Sequence, residues 1–292
     1  MKLFAGLEQI VKTDELLSRH TWFEIGGTAK YFIEPRTVDE LSEVVKRCRD
    51  NEVPMYVLGG GANLLVSDSG IAGAVIRMRG GEFMQTETTE VGIKARAGME
   101  MGKLVLNCVR KGLSGMEGLT GIPGSIGGCV RLNAGGAFGD IGSVVESVEV
   151  MTDVGDVYTR HRDDLAFAYR STNIAAKFIL GAEFRLNEDD PQRILKQVKQ
   201  IWIYKKNTQP LAKRNAGCIF KNPRGLSAGA LIDQAGLKGK RVGGAHVSKK
   251  HANFLIADEG TKAFEVLKLV EEIRETVYRK FEVYLELEIE VW

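Results

Sequence analysis

The sequence predicts an α+β chain of at least two domains, and three observations carry that reading. Residues 31–61 read as strand, helix, strand and glycine run. Residues 71–98, 142–160 and 177–186 read as strands, with a helical stretch over 99–111. The last third has its own helix and closes on an alternating segment. A length of 292 residues suits two domains or three small ones, and 44% hydrophobic with 27% charged residues is ordinary for a soluble globular protein.

Taken in order, "YFIEPRTVDELSEVVKRC" opens with a strand over 31–34. Thr37 is placed to cap the following helix, with Glu40 as its capping-box partner. Leu41, Val44, Val45 and Cys48 then share one apolar face, and a second strand over 55–58 ends in Gly59, Gly60 and Gly61. "GAVIRM" and "VGIKARAG" read as strands, and 99–111 as a helix stopped by Gly112. "GSVVESVEVMTDVGDVYTR" reads as a hairpin turning near 153–156, and "KFILGAEFRL" as a further strand. Pro191 suits the first turn of a helix running to about Lys206, and the main domain boundary is expected near 190–205. Beyond it, 227–234 reads as a helix and "HANFLIADEG" as a strand and turn. Thr261 is expected to cap a helix over 262–279 with the stripe Phe264, Leu267, Val270, Ile273, Val277. "VYLELEIEVW" reads as a strand with Leu285, Leu287 and Ile289 opposite Glu286, Glu288 and Glu290.

The charge balance, 40 Lys plus Arg against 38 Asp plus Glu, gives no support for a nucleic-acid partner. No run of 18 apolar residues is present, so no membrane span is expected, and the start of the chain does not read as a signal peptide. Cys48, Cys108, Cys129 and Cys218 match no zinc spacing, and the histidines keep no carboxylate cluster, so no metal is expected. A reduced cytosolic setting is the simplest reading. Cys48, Cys108 and Cys129 read as packing. Cys218 sits in the polar stretch "NAGCIFKNP", where a thiol can be a nucleophile, a ligand or a proton donor.

Two glycine-rich runs stand out among the 34 glycines. "GGGANLLVSD" fits neither GxGxxG nor the P-loop, yet its glycines can turn N–H groups toward an anion, and Asn63 can add a side-chain hydrogen bond. "LTGIPGSIGGCVRLNAGG" is long and small-sided, with Ser125 able to donate to phosphate. Two such runs favour a dinucleotide-sized ligand over simple turns. By itself Arg170 in "AFAYRSTN" reads as a solvated charge, and alternation alone does not single out one of the three C-terminal glutamates.

Seven segments, in order over nearly the whole chain, carry a resemblance: "HTWFEIGGTA", "YVLGGGANLLVSD", "GIPGSIGGCVRLNAGG", "YRST", "NAGCIFKNP", "AGALIDQAGLKG" and "GGAHVSKKHANFLI". The chain resembles the UDP-N-acetylenolpyruvoylglucosamine reductase family, in its compact subtype. That resemblance implies a two-subdomain FAD-binding domain of the vanillyl-alcohol-oxidase type plus a C-terminal α+β substrate-binding domain. The divisions expected are 1–80, 81–195 and 196–292.

The implied cofactor is FAD and the implied co-substrate NADPH. Gly59, Gly60, Gly61, Ala62, Asn63 and Leu64 are implied at the FAD pyrophosphate, with Tyr56 and Leu58 also implied as cofactor-binding. Gly121, Pro123, Gly124, Ser125, Gly127 and Gly128 are implied along the flavin, with Ser125 near the phosphates. The implied catalytic residues are Arg170, Cys218 and Glu288. Tyr169, Lys206, Asn222 and His251 match substrate-side positions, with His251 where the longer subtype has glutamine.

The reaction implied is reduction of UDP-N-acetylglucosamine enolpyruvate to UDP-N-acetylmuramate for peptidoglycan synthesis. Hydride passes from flavin N5 to C3, and charge builds at C2 as an enolate. Arg170 balances that charge, and Cys218 gives a proton to C2. A protonated Glu288 can hydrogen-bond the enolate. A cysteine with an ordinary pKa of ~8.5 is mostly protonated at neutral pH and can serve as that acid.

The chain departs from the family pattern at Cys218, where serine is usual, at Cys129, and at Glu282, where a glycine's positive φ would strain a glutamate. The nearest alternative is a flavin-dependent oxidase on the same scaffold. A colourless nucleotide-binding module is the non-enzyme alternative. The expected partners are small molecules only, with the chain a cytoplasmic monomer.

Overall fold

The structure is a computed structural model describing residues 2–292. The chain divides into two compact units. The first takes the residues up to Glu15, then Lys30–Gly60 and Ala72–Ile203; the second takes Leu16–Ala29, Gly61–Ile71 and Tyr204–Trp292.

In the first unit, the strands Val11–Leu16, Thr28–Ile33, Ile71–Ile76 and Met55–Val57 lie side by side in that order. Helix α1, Val38–Asp50, starts where Thr37 Oγ1 accepts the Glu40 N–H at 3.1 Å. The capping box is not closed: the Glu40 carboxylate accepts from Arg36 N–H, one residue before the cap, instead of returning to Thr37. Leu41, Val44, Val45 and Cys48 are fully buried and pack with Ile33, Ile76 and Phe83. The strand–helix–strand reading therefore holds, but Ile71–Ile76 intervenes between the two strands and pairs in parallel with Met55–Val57.

The second sheet of this unit is antiparallel, in the order Val157–His161, Val145–Met151, Phe178–Arg185, Gly92–Arg96, Thr86–Thr89. The hairpin expected near 153–156 is its outer pair. Helix α2, Met101–Lys111, buries Met101, Leu104, Val105 and Cys108 in the sheet's core, and Gly112 stops it at φ +67°, a conformation glycine adopts without a Cβ penalty. Helix α3, Ile126–Arg131, lies within the second glycine run and packs on the strand Phe178–Arg185. Helix α4, Pro191–Thr208, begins at the expected proline, and the division between units falls within it.

The second unit holds helix α5, Ala228–Gln234, helix α6, Ala263–Phe281, and a small antiparallel sheet of Arg241–Val242, Ala245–Val247 and Leu255–Ala257. Ser227 caps α5 by accepting from Ala230 N–H. Thr261 does not cap α6: its hydroxyl donates to Asp258 O. The free N–H groups of the first turn go instead to Asp68, which accepts from Ala263 and Phe264, and to Glu265, which accepts from Lys262. A carboxylate there also meets the positive end of the helix dipole.

The buried stripe of α6 is Ala263, Val266, Leu269, Val270, Ile273 and Val277. Phe264, expected on it, is 62% exposed, because the buried face at this end runs through Ala263, Val266 and Leu269 and leaves position 264 about 100° away from Ala263. At the other end Glu282 takes φ +57°, a left-handed cap that is strained for a residue with a side chain.

The closing segment is less regular than its alternation suggests. Only Glu290–Val291 pairs as strand, in parallel with Leu64–Leu65, and Leu287 makes a single bridge to Phe220.

Candidate active site

Gly59 and Gly60 end the strand Met55–Val57 and meet the second glycine run backbone to backbone. A Cβ on Gly60 would stand 2.7 Å from Gly124 Cα, and one on Gly59 would stand 2.8 Å from Ser125 Oγ. Gly121 and Gly124 take φ +72° and +122°, and Gly127 would set a Cβ 3.0 Å from that of Ala97. The two runs form one cradle in which side chains at Gly59, Gly60 or Gly127 would collide with their neighbours. Ser125 stands at the start of α3, 8% exposed, with its hydroxyl not used to cap the helix. Leu58, Ala62 and Leu64 point inward, so their contribution to any ligand is through backbone. A dinucleotide held by main-chain N–H groups fits such a cradle.

Arg170 occupies the turn of a short hairpin, Phe167–Ala168 with Ser171–Thr172. Its φ is +56°, a strained value for a residue with a side chain. The guanidinium is half-buried, donates to Gly135 O at 2.9 Å and lies 5.1 Å from the centre of the Tyr169 ring. The hairpin is anchored from α3. Arg131 donates to Ile174 O, Ala176 O and Lys177 O, and buried Asn133 donates from its side chain to Ala168 O while accepting from Gly142 N–H. The element that carries the second glycine run therefore also fixes the arginine. Neither Arg131 nor Asn133 was singled out in the sequence, although Asn133 sits in the "NAGG" of a matching segment.

In the second unit Cys218 and Glu288 lie on adjoining segments. Ile219 O accepts from Glu288 N–H at 2.8 Å, Phe220 bridges Leu287, and Cys218 bridges Phe254. The segment after Cys218 is thus held between 253–254 on one side and 286–288 on the other. Asn63 Nδ2 donates to Glu288 O at 3.0 Å, tying the end of the first glycine run to the glutamate. Glu286 and Glu290 are exposed whereas Glu288 is half-buried, a distinction alternation did not provide. Cys218 is half-buried too. The other three cysteines are buried, and burial pushes Cys48 up to about 11 and Cys108 and Cys129 up to about 12, so they are inert thiols.

The substrate-side positions divide. His251 is half-buried, burial lowers its pKa, and its Nδ1 accepts the Asn253 N–H, so a neutral ring carries its proton on Nε2. Asn222 is exposed and its Oδ1 accepts from Ala228 N–H at the start of α5. Lys206 is exposed, and its carbonyl accepts from Lys250. Lys205, not Lys206, is the buried lysine of the pair: it is 6% exposed, and burial brings its pKa down to about 8. The helical phase of Ile194, Val198 and Lys205 would have placed it on the inward face.

The fold of the first unit and its glycine cradle define an FAD-binding oxidoreductase. The FAD-binding domain family matches residues 29–160, and a glucose dehydrogenase, Phl p 4.0202, shares the fold at TM-score 0.50 and 12% identity over 65% of this chain and 45% of its own. The C-terminal domain of UDP-N-acetylenolpyruvoylglucosamine reductase matches residues 209–292. The reductase of Carboxydothermus hydrogenoformans is 39% identical over 96% of this chain and 93% of its own, and that of Lachnoclostridium phytofermentans 38% identical over 97% and 94%. The crystal structure of the Thermus caldophilus reductase superposes at TM-score 0.85 with 38% identity, covering 97% of this chain and 98% of that one. The chain belongs to the UDP-N-acetylenolpyruvoylglucosamine reductase family, and is a flavin-dependent reductase of the enolpyruvyl sugar nucleotide.

Proposed function

We propose that this chain reduces UDP-N-acetylglucosamine enolpyruvate with electrons from NADPH, using Arg170, Cys218 and Glu288 as its catalytic residues. The observation that carries the reading is the thiol itself. Of the four cysteines, Cys218 alone is not buried, and it lies beside the segment bearing Glu288. Gly59, Gly60, Gly121, Gly124 and Ser125 would hold FAD through backbone and one hydroxyl, with the other residues of the two runs around them. FAD, when bound, supplies the hydride chemistry of the reaction.

The chain's own residues do the rest. Arg170 places a fixed positive charge against the enolate that grows at C2. Its hydrogen bond to Gly135 O orients the guanidinium in advance, so little reorganisation is needed as charge develops. Cys218 gives its proton to C2 and is left as a thiolate, which regains a proton from solvent. Glu288, half-buried, can hydrogen-bond the enolate oxygen when protonated. Tyr169, Lys206, Asn222 and His251 orient the substrate. The residues 1–80, 81–195 and 196–292 act as two FAD subdomains and a substrate domain, in a cytoplasmic monomer.

An anaerobic experiment tests this. The flavin-loaded protein is reduced with NADPH and then mixed with UDP-N-acetylglucosamine enolpyruvate in heavy water. The flavin is expected to reoxidise, with solvent deuterium placed at C2 of the product. Flavin that stays reduced rejects the reading. Rapid reduction by an alcohol without NADPH would favour the oxidase alternative.

A further inference from the structure

Asn253 follows His251 by two residues and is 3% exposed. Its side chain holds both backbone polar groups of Phe220: Oδ1 accepts from Phe220 N–H at 3.0 Å, and Nδ2 donates to Phe220 O at 2.8 Å. Its backbone carbonyl accepts from Ile219 N–H at 2.9 Å. The two segments form no regular ladder, only the single bridge between Cys218 and Phe254. The amide of Asn253 therefore does for Phe220 what a neighbouring strand would do. Removing it leaves a buried N–H and a buried carbonyl without these partners, two residues from the thiol. The backbone N–H of the same residue meets His251 Nδ1 at 3.3 Å.

We propose that Asn253 is a positioning residue for the proton transfer: by clamping the backbone N–H and carbonyl of Phe220 it sets where Cys218 stands. This rests on the reading of Cys218 as the donor to C2. Asn253 does not exchange a proton with substrate and acts only through the cysteine.

The test is a double-mutant cycle on the flavin-loaded protein, with Asn253→Ala, Asn253→Asp, Cys218→Ala and the double variant Asn253→Ala/Cys218→Ala. Flavin reduction by NADPH is expected to stay within about twofold of the parent in all four. Flavin reoxidation by UDP-N-acetylglucosamine enolpyruvate is expected to slow about 100-fold in Asn253→Ala, the scale of a reacting group misplaced by an ångström. Asn253→Asp keeps the acceptor for Phe220 N–H and loses the donor, so it falls between. If Asn253→Ala does not fold, Asn253→Asp takes its place in the cycle.

In the double variant the loss should equal that of Cys218→Ala alone, because no thiol remains to be placed. Hydrogen exchange over 218–222 should rise in both Asn253 variants, with or without flavin. Losses that multiply in the double variant, or equal slowing of both half-reactions, overturn the proposal and leave the donor assignment standing. Wild-type reoxidation in Cys218→Ala overturns the donor assignment, and the proposal with it.

Discussion

At the scale of single residues, the charges decide what can be tested. Arg170 sits in a strained turn, held toward Gly135 O. Arg170→Ala is expected to slow substrate-driven flavin reoxidation by ~100-fold, about 3 kcal/mol, because an enolate forms only in that step. Reduction by NADPH should change little, and stopped-flow traces of the two half-reactions measure both; equal losses would mean that Arg170 supports the fold and not the enolate.

Lys205 offers a different test, on stability. Its pKa of about 8 in the folded protein lies below the ordinary 10.5, so between those values the unfolded chain binds more protons than the folded one. Stability then rises with pH across that window, as the unfolded chain keeps a proton that burial makes the folded one release. Lys205→Met should stabilise the protein by ~2 kcal/mol at pH 7, and the advantage should shrink as the pH climbs from about 8 to about 10.5. Urea midpoints at pH 7 and pH 10 read this directly, and an equal gain at both would show that the charge is not the cause.

At the scale of elements, the glycine runs are coupled to one another before any ligand is considered. A side chain at Gly60 would meet Gly124 Cα at 2.7 Å and the Ser125 backbone N at 3.1 Å, and both of those atoms are main chain. Gly60→Val should therefore force the runs apart and lower both flavin content and melting temperature. The ratio of flavin to protein absorbance after purification, together with a titration of the apoprotein with FAD, measures the loss. Stoichiometric flavin at normal affinity would place the cofactor's grip elsewhere. Helix α3 passes such a disturbance on, since its first residue follows Ser125 and its last, Arg131, anchors the segment after the Arg170 hairpin. A slower oxidative half-reaction in any Gly60 variant that still retains flavin would be consistent with that route.

At the scale of the whole molecule, none of the four cysteines is in a disulfide, and the three buried ones have pKa values too high for ready reaction. The flavin is accordingly expected to be held without a covalent bond. Acid precipitation should leave yellow FAD in the supernatant and a colourless pellet; colour retained in the pellet would indicate a tether and favour the oxidase alternative.

The sequence by itself determined the α+β class, α1 with its buried face, the stop of α2 at Gly112 and the start of α4 at Pro191. These depend on local periodicity, capping and backbone sterics, which a short window of residues contains. It also located both glycine runs and the segments that carry the family resemblance. The resemblance pointed to Glu288, but only the tertiary structure decided which of the three alternating glutamates is half-buried and which of two adjacent lysines is inside. It also decided that Asp68, nearly two hundred residues away in sequence, caps α6 in place of Thr261. The hold of Asn253 on Phe220 and of Asn133 on the Arg170 hairpin belongs to the same kind. Each depends on a partner brought close by packing, and hydrogen bonds between segments distant in sequence leave no periodic trace along either one.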